Sequence, residues 1–442
     1  MMRAHFDVLA DALCQPTVGA DRVLLNLAAE SSDFIRFNHA QVRQATHVDQ
    51  ATATLTVVQG KRRVDISLSL SGDAERDVPL LLAERAALLA ALPDLPEDPY
   101  LLLPDTVQST ARDEVGQLPR PAEVIHAVGL HAHGADMVGF YAGGVVQRGF
   151  ADSRGQRNWH SVQSFCMDWC IYQAADKAVK ASYAGTHWRG EVLADRLTDS
   201  IQRSALLAGP PKVLAPGAYR VYLSPVAMAD LLGTLSWGGF GIKGVKTEAS
   251  SLIQMHREGA RMSPLIGLSE ATAQGTAPCF QSEGFVKPDA VPLVQAGQVA
   301  QCLVSPRSGQ EYGVVPNTGA AEAPESLSLQ AGSLAASDVL KTLDTGVWIS
   351  NLHYLNYSDR QACRVTGMTR FACWWVEGGK LIAPIQVMRF DDSILRMLGE
   401  GLVALTDAAE WVPDNGTYGS RQLGRARTPG ARVPPVPPPR LA

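Results

Sequence analysis

The 442-residue sequence predicts an α+β protein. An α/β N-terminal region covers residues 1–208, with a possible sub-boundary near 93–104. A β-rich C-terminal domain follows over 209–420, and an Arg/Pro-rich flexible tail over 421–442. Three observations carry this reading. Ala51, Ala53, Leu55 and Val57 alternate with threonines, and beyond Gly60 the residues Val64, Ile66, Leu68 and Leu70 alternate with polar ones, which is the period of a half-buried hairpin. The Leu/Ala-rich run 80–92 reads as a buried helix. A second helix over about 191–207 ends at Gly209-Pro210-Pro211, the predicted domain boundary.

The remaining elements follow in order. Val23–Leu27 and Phe34–Phe37 read as short strands. Four prolines between Pro93 and Pro104 mark a connector. Gly139–Gly144 is glycine-rich, and Asp152-Ser153-Arg154-Gly155 is a polar stretch. Residues 161–183 read as a helix, because Phe165, Trp169, Tyr172 and Val179 share one helical face. In the second half, Tyr219–Leu223 alternates as a strand and Pro225 opens a helix running to about Leu235. Residues 371–376 and 381–390 flank Gly378-Gly379 as a hairpin.

Composition excludes several classes of function. Hydrophobic residues at 46% against 19% charged are enough to build a large core. A net charge of -5 favours neither nucleic acid nor anionic membrane as a partner. No apolar run approaches the roughly 18 residues of a membrane helix, and the N-terminus has no signal-peptide pattern. The seven cysteines (Cys14, Cys166, Cys170, Cys279, Cys302, Cys363, Cys373) form no CxxC pair and read as reduced thiols of a cytoplasmic protein.

Several clusters could carry chemistry, and each has a plainer alternative. His131, His133 and Asp136, with His126 nearby, could offer two imidazoles on one strand face to a metal; the alternative is hydrogen-bonded histidines beside a turn. Cys166 and Cys170, four apart on the expected helix, could present two sulfurs or simply fill the core. His256-Arg257-Glu258 is not HExxH and reads as polar surface. Gly239, Gly241 and Gly244 match GxGxxG, but an expected helix precedes them where a dinucleotide site needs a strand, so they read as a flexible loop. Cys363 with His353 could be a nucleophile and base, although a structural role is simpler. The dense polar stretch with Asn351, His353, Tyr354, Asn356, Arg364 and Arg370 is the best candidate for binding a peptide or a partner.

Three segments, Gly346–Leu352 (GVWISNL), Arg364–Arg370 (RVTGMTR) and Trp375–Leu395 (WVEGGKLIAPIQVMRFDDSIL), resemble the C-terminal domain of the TldD/PmbA family. Phe280–Gly297, Ser32–Gln44 and Gly139–Gly155 extend the resemblance over roughly residues 20–410. It implies a cytoplasmic heterodimer in which a TldD-type subunit and a TldE/PmbA-type subunit process or degrade peptides. It further implies zinc on the HExxxH of the TldD-type subunit alone. Where that motif should stand, this chain has Gly233-Thr234-Leu235-Ser236-Trp237-Gly238, and the last cysteine is Cys373. The expectation is therefore a TldE-like subunit with no catalytic or metal residue of its own, paired with a zinc-bearing TldD-like chain. The alternatives are a self-sufficient hydrolase using His131/His133 or Cys363, and a homodimeric peptide-binding protein.

Overall fold

The computed structural model describes residues 2–174 and 177–436. Its N-terminal half is built on a seven-stranded sheet. The elements are α1 (Met2–Leu13), β1 (Arg22–Asn38), β2 (Gln41–Gln59), β3 (Arg62–Ser69), α2 (Ala74–Ala91), β4 (Thr110–Glu114), α3 (Pro121–His131), β5 (Asp136–Asp152), β6 (Arg157–Ala174), β7 (Lys177–Gly185) and α4 (Gly190–Leu206). The strand order is β3-β2-β1-β5-β6-β4, with β7 also on β6. All pairs are antiparallel except β4 with β6.

Two expectations fail here for identifiable reasons. The two short strands are one 17-residue strand, β1, whose polar middle lies on the sheet. The helix expected over 161–183 is the strands β6 and β7. A spacing of four places residues on one face of a helix and also of a strand, so Phe165 and Trp169 satisfy both periods. The decisive pattern is Phe165, Met167, Trp169 and Ile171 at period two, all buried in one core cluster with α3 and α4. The rest of that sheet face packs on α1 and α2 through Leu25, Leu27, Leu55 and Val57.

The C-terminal half contains β8 (Tyr219–Leu223), α5 (Pro225–Ser236), β9 (Leu268–Glu270), β10 (Val291–Gln295), β11 (Gln298–Val299), β12 (Leu327–Leu329), β13 (Gly346–Ile349), β14 (His353–Asp359), β15 (Arg364–Met368), β16 (Trp374–Glu377), β17 (Lys380–Pro384), β18 (Arg389–Ser393), β19 (Ala404–Pro413) and β20 (Arg425–Val436). A ten-stranded sheet runs β11-β10-β9-β12-β20-β8-β13-β16-β17, with β19 also on β20. β14, β15 and β18 make a second, three-stranded sheet. The hairpin expected over 371–390 is therefore divided. β16 and β17 form it, with Gly378 and Gly379 at φ +57° and +71°, while β18 joins the small sheet.

The expected tail is also corrected. Arg421 is buried, and residues 425–436 form β20 in the middle of the large sheet. Proline cannot donate to a ladder, but β20 carries its prolines beside irregular pairing between Leu405 and Ala409 and between Val433 and Val436. The remainder of the PPVPPP run, from residue 437, lies outside the described residues.

The other face of the N-terminal sheet meets the C-terminal half, where small apolar clusters such as Leu24, Phe150 and Phe280, or Val146, Val162 and Leu423, alternate with directed polar contacts. The Arg421 guanidinium donates to Ser32 Oγ (3.3 Å), the Gly144 carbonyl (3.2 Å) and Ser164 Oγ (2.8 Å), while its backbone N–H donates to Glu30 (3.0 Å). His160 Nε2 lies 2.9 Å from the Thr276 carbonyl, and Gln156 donates to the carbonyl of Gly284 at 2.7 Å. Gly284 has φ +92°, and a Cβ there would stand 2.6 Å from the Phe150 ring, so the close approach requires glycine.

Candidate functional site

α5 lies at the centre of the C-terminal half. Ser224 caps it by accepting from Ala227 N–H, and Pro225 sits at the first helical position, where its missing N–H costs nothing. Met228, Leu231, Leu232 and Leu235 are buried in the main core, and β20 and β8 pack against the helix. Its other side forms one wall of a cleft of about 700 Å³ through Asp230, Gly233, Thr234 and Ser236. Trp237 stands on the rim, exposed, with Arg360 over its ring at 5.6 Å.

The cleft holds charged groups on several elements. Asp230 accepts a hydrogen bond from Leu352 N–H at 3.0 Å, yet burial outweighs that bond and pushes its carboxyl up to about 6. Across from it, Glu325 pairs with the buried ammonium of Lys287. Behind that pair Glu270 accepts from the N–H groups of Glu325 and Ser326, and burial raises it to about 7. Arg425 rests on the Trp411 ring at 3.9 Å, donates to the Gln274 carbonyl, and is lowered to about 10 by burial. These groups were not singled out in the sequence. Arg425 stood in the expected tail, and the others are isolated in sequence and meet only in the fold.

The polar stretch expected to bind is split by the structure. Asn351 is buried, with Oδ1 lacking a partner. His353, Tyr354 and Arg370 come together at the start of β14. Arg370 Nη1 donates to His353 Nε2 at 2.8 Å, and the Tyr354 ring lies 4.4 Å from the imidazole. An arginine can only donate, so Nε2 accepts and the ring is neutral. Burial, then Arg370 and Lys180, lower its pKa accordingly. Asn356 and Arg364 lie elsewhere on the small sheet. Asn356 accepts from Tyr357 N–H, and Arg364 pairs with Asp391.

The alternative clusters do not assemble. Cys363 is wholly buried, and burial pushes its thiol up to about 12, which leaves no thiolate nucleophile. Cys166 and Cys170 point to one face of β6, but four steps along an extended strand put them about 13 Å apart, too far for one metal. His131 ends α3 rather than lying on a strand, His133 is in the following turn, and Asp136 pairs with His39 instead. Gly241 caps a single helical turn, and the glycine segment is hydrogen-bonded into the domain through Gly239 and Ile242 rather than forming a free loop. His256 stands in a single-turn helix, its pKa lowered by burial. Among the described residues, no group of three or more His, Cys, Asp or Glu could hold a metal ion. Asp230 is the only side chain of a zinc-ligand type on α5, so that helix does not fit zinc.

The chain thus joins a layered N-terminal sheet to a β-rich C-terminal domain in which a central helix walls a cleft. The family model of the PmbA/TldA metallopeptidase C-terminal domain matches residues 216–436, half of the chain, and the chain belongs to the PmbA/TldD family. Solved structures agree over nearly the full length. TldE from Thermococcus kodakarensis superposes with a TM-score of 0.75 at 12% identity, covering 95% of this chain and 97% of that one. A protein described as a modulator of a DNA gyrase from Thermotoga maritima gives 0.74 at 14% identity, covering 99% and 100%. A protein of the same description from Bacteroides thetaiotaomicron gives 0.71 at 14%, covering 98% and 97%. At these identities the likeness establishes the fold. No curated protein matches the sequence. Among the described residues no helix is long and apolar enough to cross a membrane.

Proposed function

We propose that this chain is a TldE-like subunit of a TldD-type zinc metallopeptidase complex that processes or degrades peptides, and that it is itself non-catalytic. The observation that carries this reading is α5. It lines a large open cleft at the place where the family resemblance puts HExxxH, yet it offers Asp230 and no imidazole, and no His-Glu dipeptide occurs anywhere in the sequence. A zinc peptidase needs imidazole ligands and a carboxylate that activates water. The cleft and the exposed strands of the small sheet are suited to holding an extended peptide beside the catalytic chain. The partner would bring the zinc, and both chains would work in the cytoplasm.

Two measurements test the reading. The chain purified from its native host should bring a TldD-like chain with it; purification alone as a monomer would end the proposal. Zinc content of the isolated chain should be near zero, and one tightly held zinc per chain would mean that it carries its own site.

A further inference from the structure

Three observations meet at the mouth of β14. The first is an arginine without an acid. Arg370 donates to a neutral imidazole, His353 Nε2, and lies 5.8 Å from the Phe371 ring. Among the described residues no carboxylate is hydrogen-bonded or ion-paired to it. A half-buried guanidinium held by one neutral acceptor keeps its other N–H donors free for a carboxylate.

The second is Lys180 on β7. Its nearest carboxylate is Asp168, at 3.9 Å, and Asp168 is already bonded to Asn415 at 2.8 Å. Val179, next to Lys180 on β7, packs against Ala372 and Trp374, so β7 runs beside the segment that follows Arg370. The third is strain. Tyr354 has φ +48°, a conformation unfavourable for a bulky aromatic residue, and its side chain is 77% exposed while its ring lies against His353. Strain that displays a large ring to solvent buries nothing in the isolated chain and is characteristic of binding surfaces. Buried Asn351, two residues before His353, has an amide oxygen without a partner, and an amide can turn to present its N–H₂ instead.

We propose that Arg370, held by His353 and assisted by Lys180, is a carboxylate-binding site for an extended peptide, with the Tyr354 ring covering the adjoining residue. The carboxylate is the peptide's C-terminus or an acidic side chain, and both offer the same two oxygens to the guanidinium fork. The site adjoins the cleft directly, because Leu352, which bonds Asp230, precedes His353. The proposal rests on the reading that this subunit holds peptide, but it requires neither zinc nor a second chain.

The test is fluorescence polarisation with the isolated full-length protein and three fluorescein-labelled Ala/Val octapeptides. One has a free C-terminal carboxylate, one is amidated, and one is amidated with a single internal Glu. The free acid should bind roughly 30-fold more tightly than the plain amide, the scale of a charge-assisted pair. Recovery of affinity by the Glu peptide would assign the site to acidic side chains, and lack of recovery to the C-terminus. Arg370→Gln should erase the discrimination between acid and amide while Arg370→Lys keeps part of it, with thermal unfolding confirming that both fold. Lys180→Gln should weaken the free acid severalfold and leave the amide unchanged. Equal affinity for all three peptides, binding of none, or discrimination surviving Arg370→Gln would overturn the site. Any of these results would leave the subunit reading to be decided by co-purification.

Discussion

The two faces of the N-terminal sheet are built on opposite principles. Beneath the helices, Leu25, Leu27, Leu55, Val57, Met167 and Trp169 form an apolar layer whose stability grows with buried area and needs no directed partner. Beneath the C-terminal half, the same sheet presents Glu30, Ser32, Gln156, His160 and Ser164, which meet Arg421, Gly284 and Thr276 at hydrogen-bond distance beside smaller apolar contacts of Phe150 with Phe280 and of Val162 with Leu423. The first face would accept many helices. The second accepts only a surface with matching donors and acceptors, because each unmatched buried group costs about 1–3 kcal/mol. The contrast teaches that the apolar face makes the layer and the polar face sets how the two halves are joined.

The most severe way to break this contrast is to remove the central polar anchor. Arg421→Ala would strand Ser32, Ser164 and Gly144 together and is expected to cost about 4 kcal/mol of unfolding free energy, read by chemical denaturation. A loss below 1 kcal/mol would mean that water replaces the guanidinium freely. On the helix face, Leu25→Ala should cost about 3 kcal/mol through transfer and cavity terms. It should leave contacts to the C-terminal half intact, as judged by limited proteolysis of the 414–424 segment.

The polar face also predicts a pH signature. Burial lowers His160 to about 4, so the folded chain keeps it neutral. As pH falls from about 6.5 towards 4 the unfolded chain takes up a proton that the fold refuses. Stability should therefore drop across that window, by roughly 3 kcal/mol at most. His160→Gln should flatten this slope relative to the parent. Asp230 in the cleft is raised to about 6 and contributes with the opposite sign, since the fold retains a proton that the unfolded chain has lost and stability falls as pH rises from about 4 to 6. Asp230→Asn should remove that component, and an unchanged slope between pH 4 and 6 would show that the carboxyl is solvated. At the small end, His47→Ala breaks an exposed pair with Asp33 and should cost less than about 0.5 kcal/mol. A larger loss would show that exposed pairs also define the sheet.

Much of the fold was legible because periodicity reports burial. The 51–70 hairpin, the helices beginning near residues 191 and 225, and the glycine turn at 378–379 all follow from local pattern, while the helix expected from residue 80 begins at Ala74, with Pro79 inside its first turns. Residues 161–183 were misread because a spacing of four is compatible with both a strand and a helix. The proline-bearing β20 was misread because ladder irregularities that tolerate proline arise only between strands. Of the candidate site, the stretch 351–370 was visible as an excess of polar and aromatic residues, but its division into a His353–Arg370–Tyr354 group and two separate surface residues was not.

By itself the sequence determined the two-part α+β character, the family resemblance and the lack of a zinc motif on the helix after β8, because these depend on residue identity and local spacing. The tertiary structure alone decided that Arg421 is a buried anchor rather than part of a flexible tail. It also brought Asp230, Glu325 and Arg425 together in one cleft and left Arg370 bonded to His353, with no acid paired to it among the described residues. Each of those outcomes depends on distances between residues far apart in the chain, and hydrogen bonding and charge burial respond to such distances rather than to sequence order.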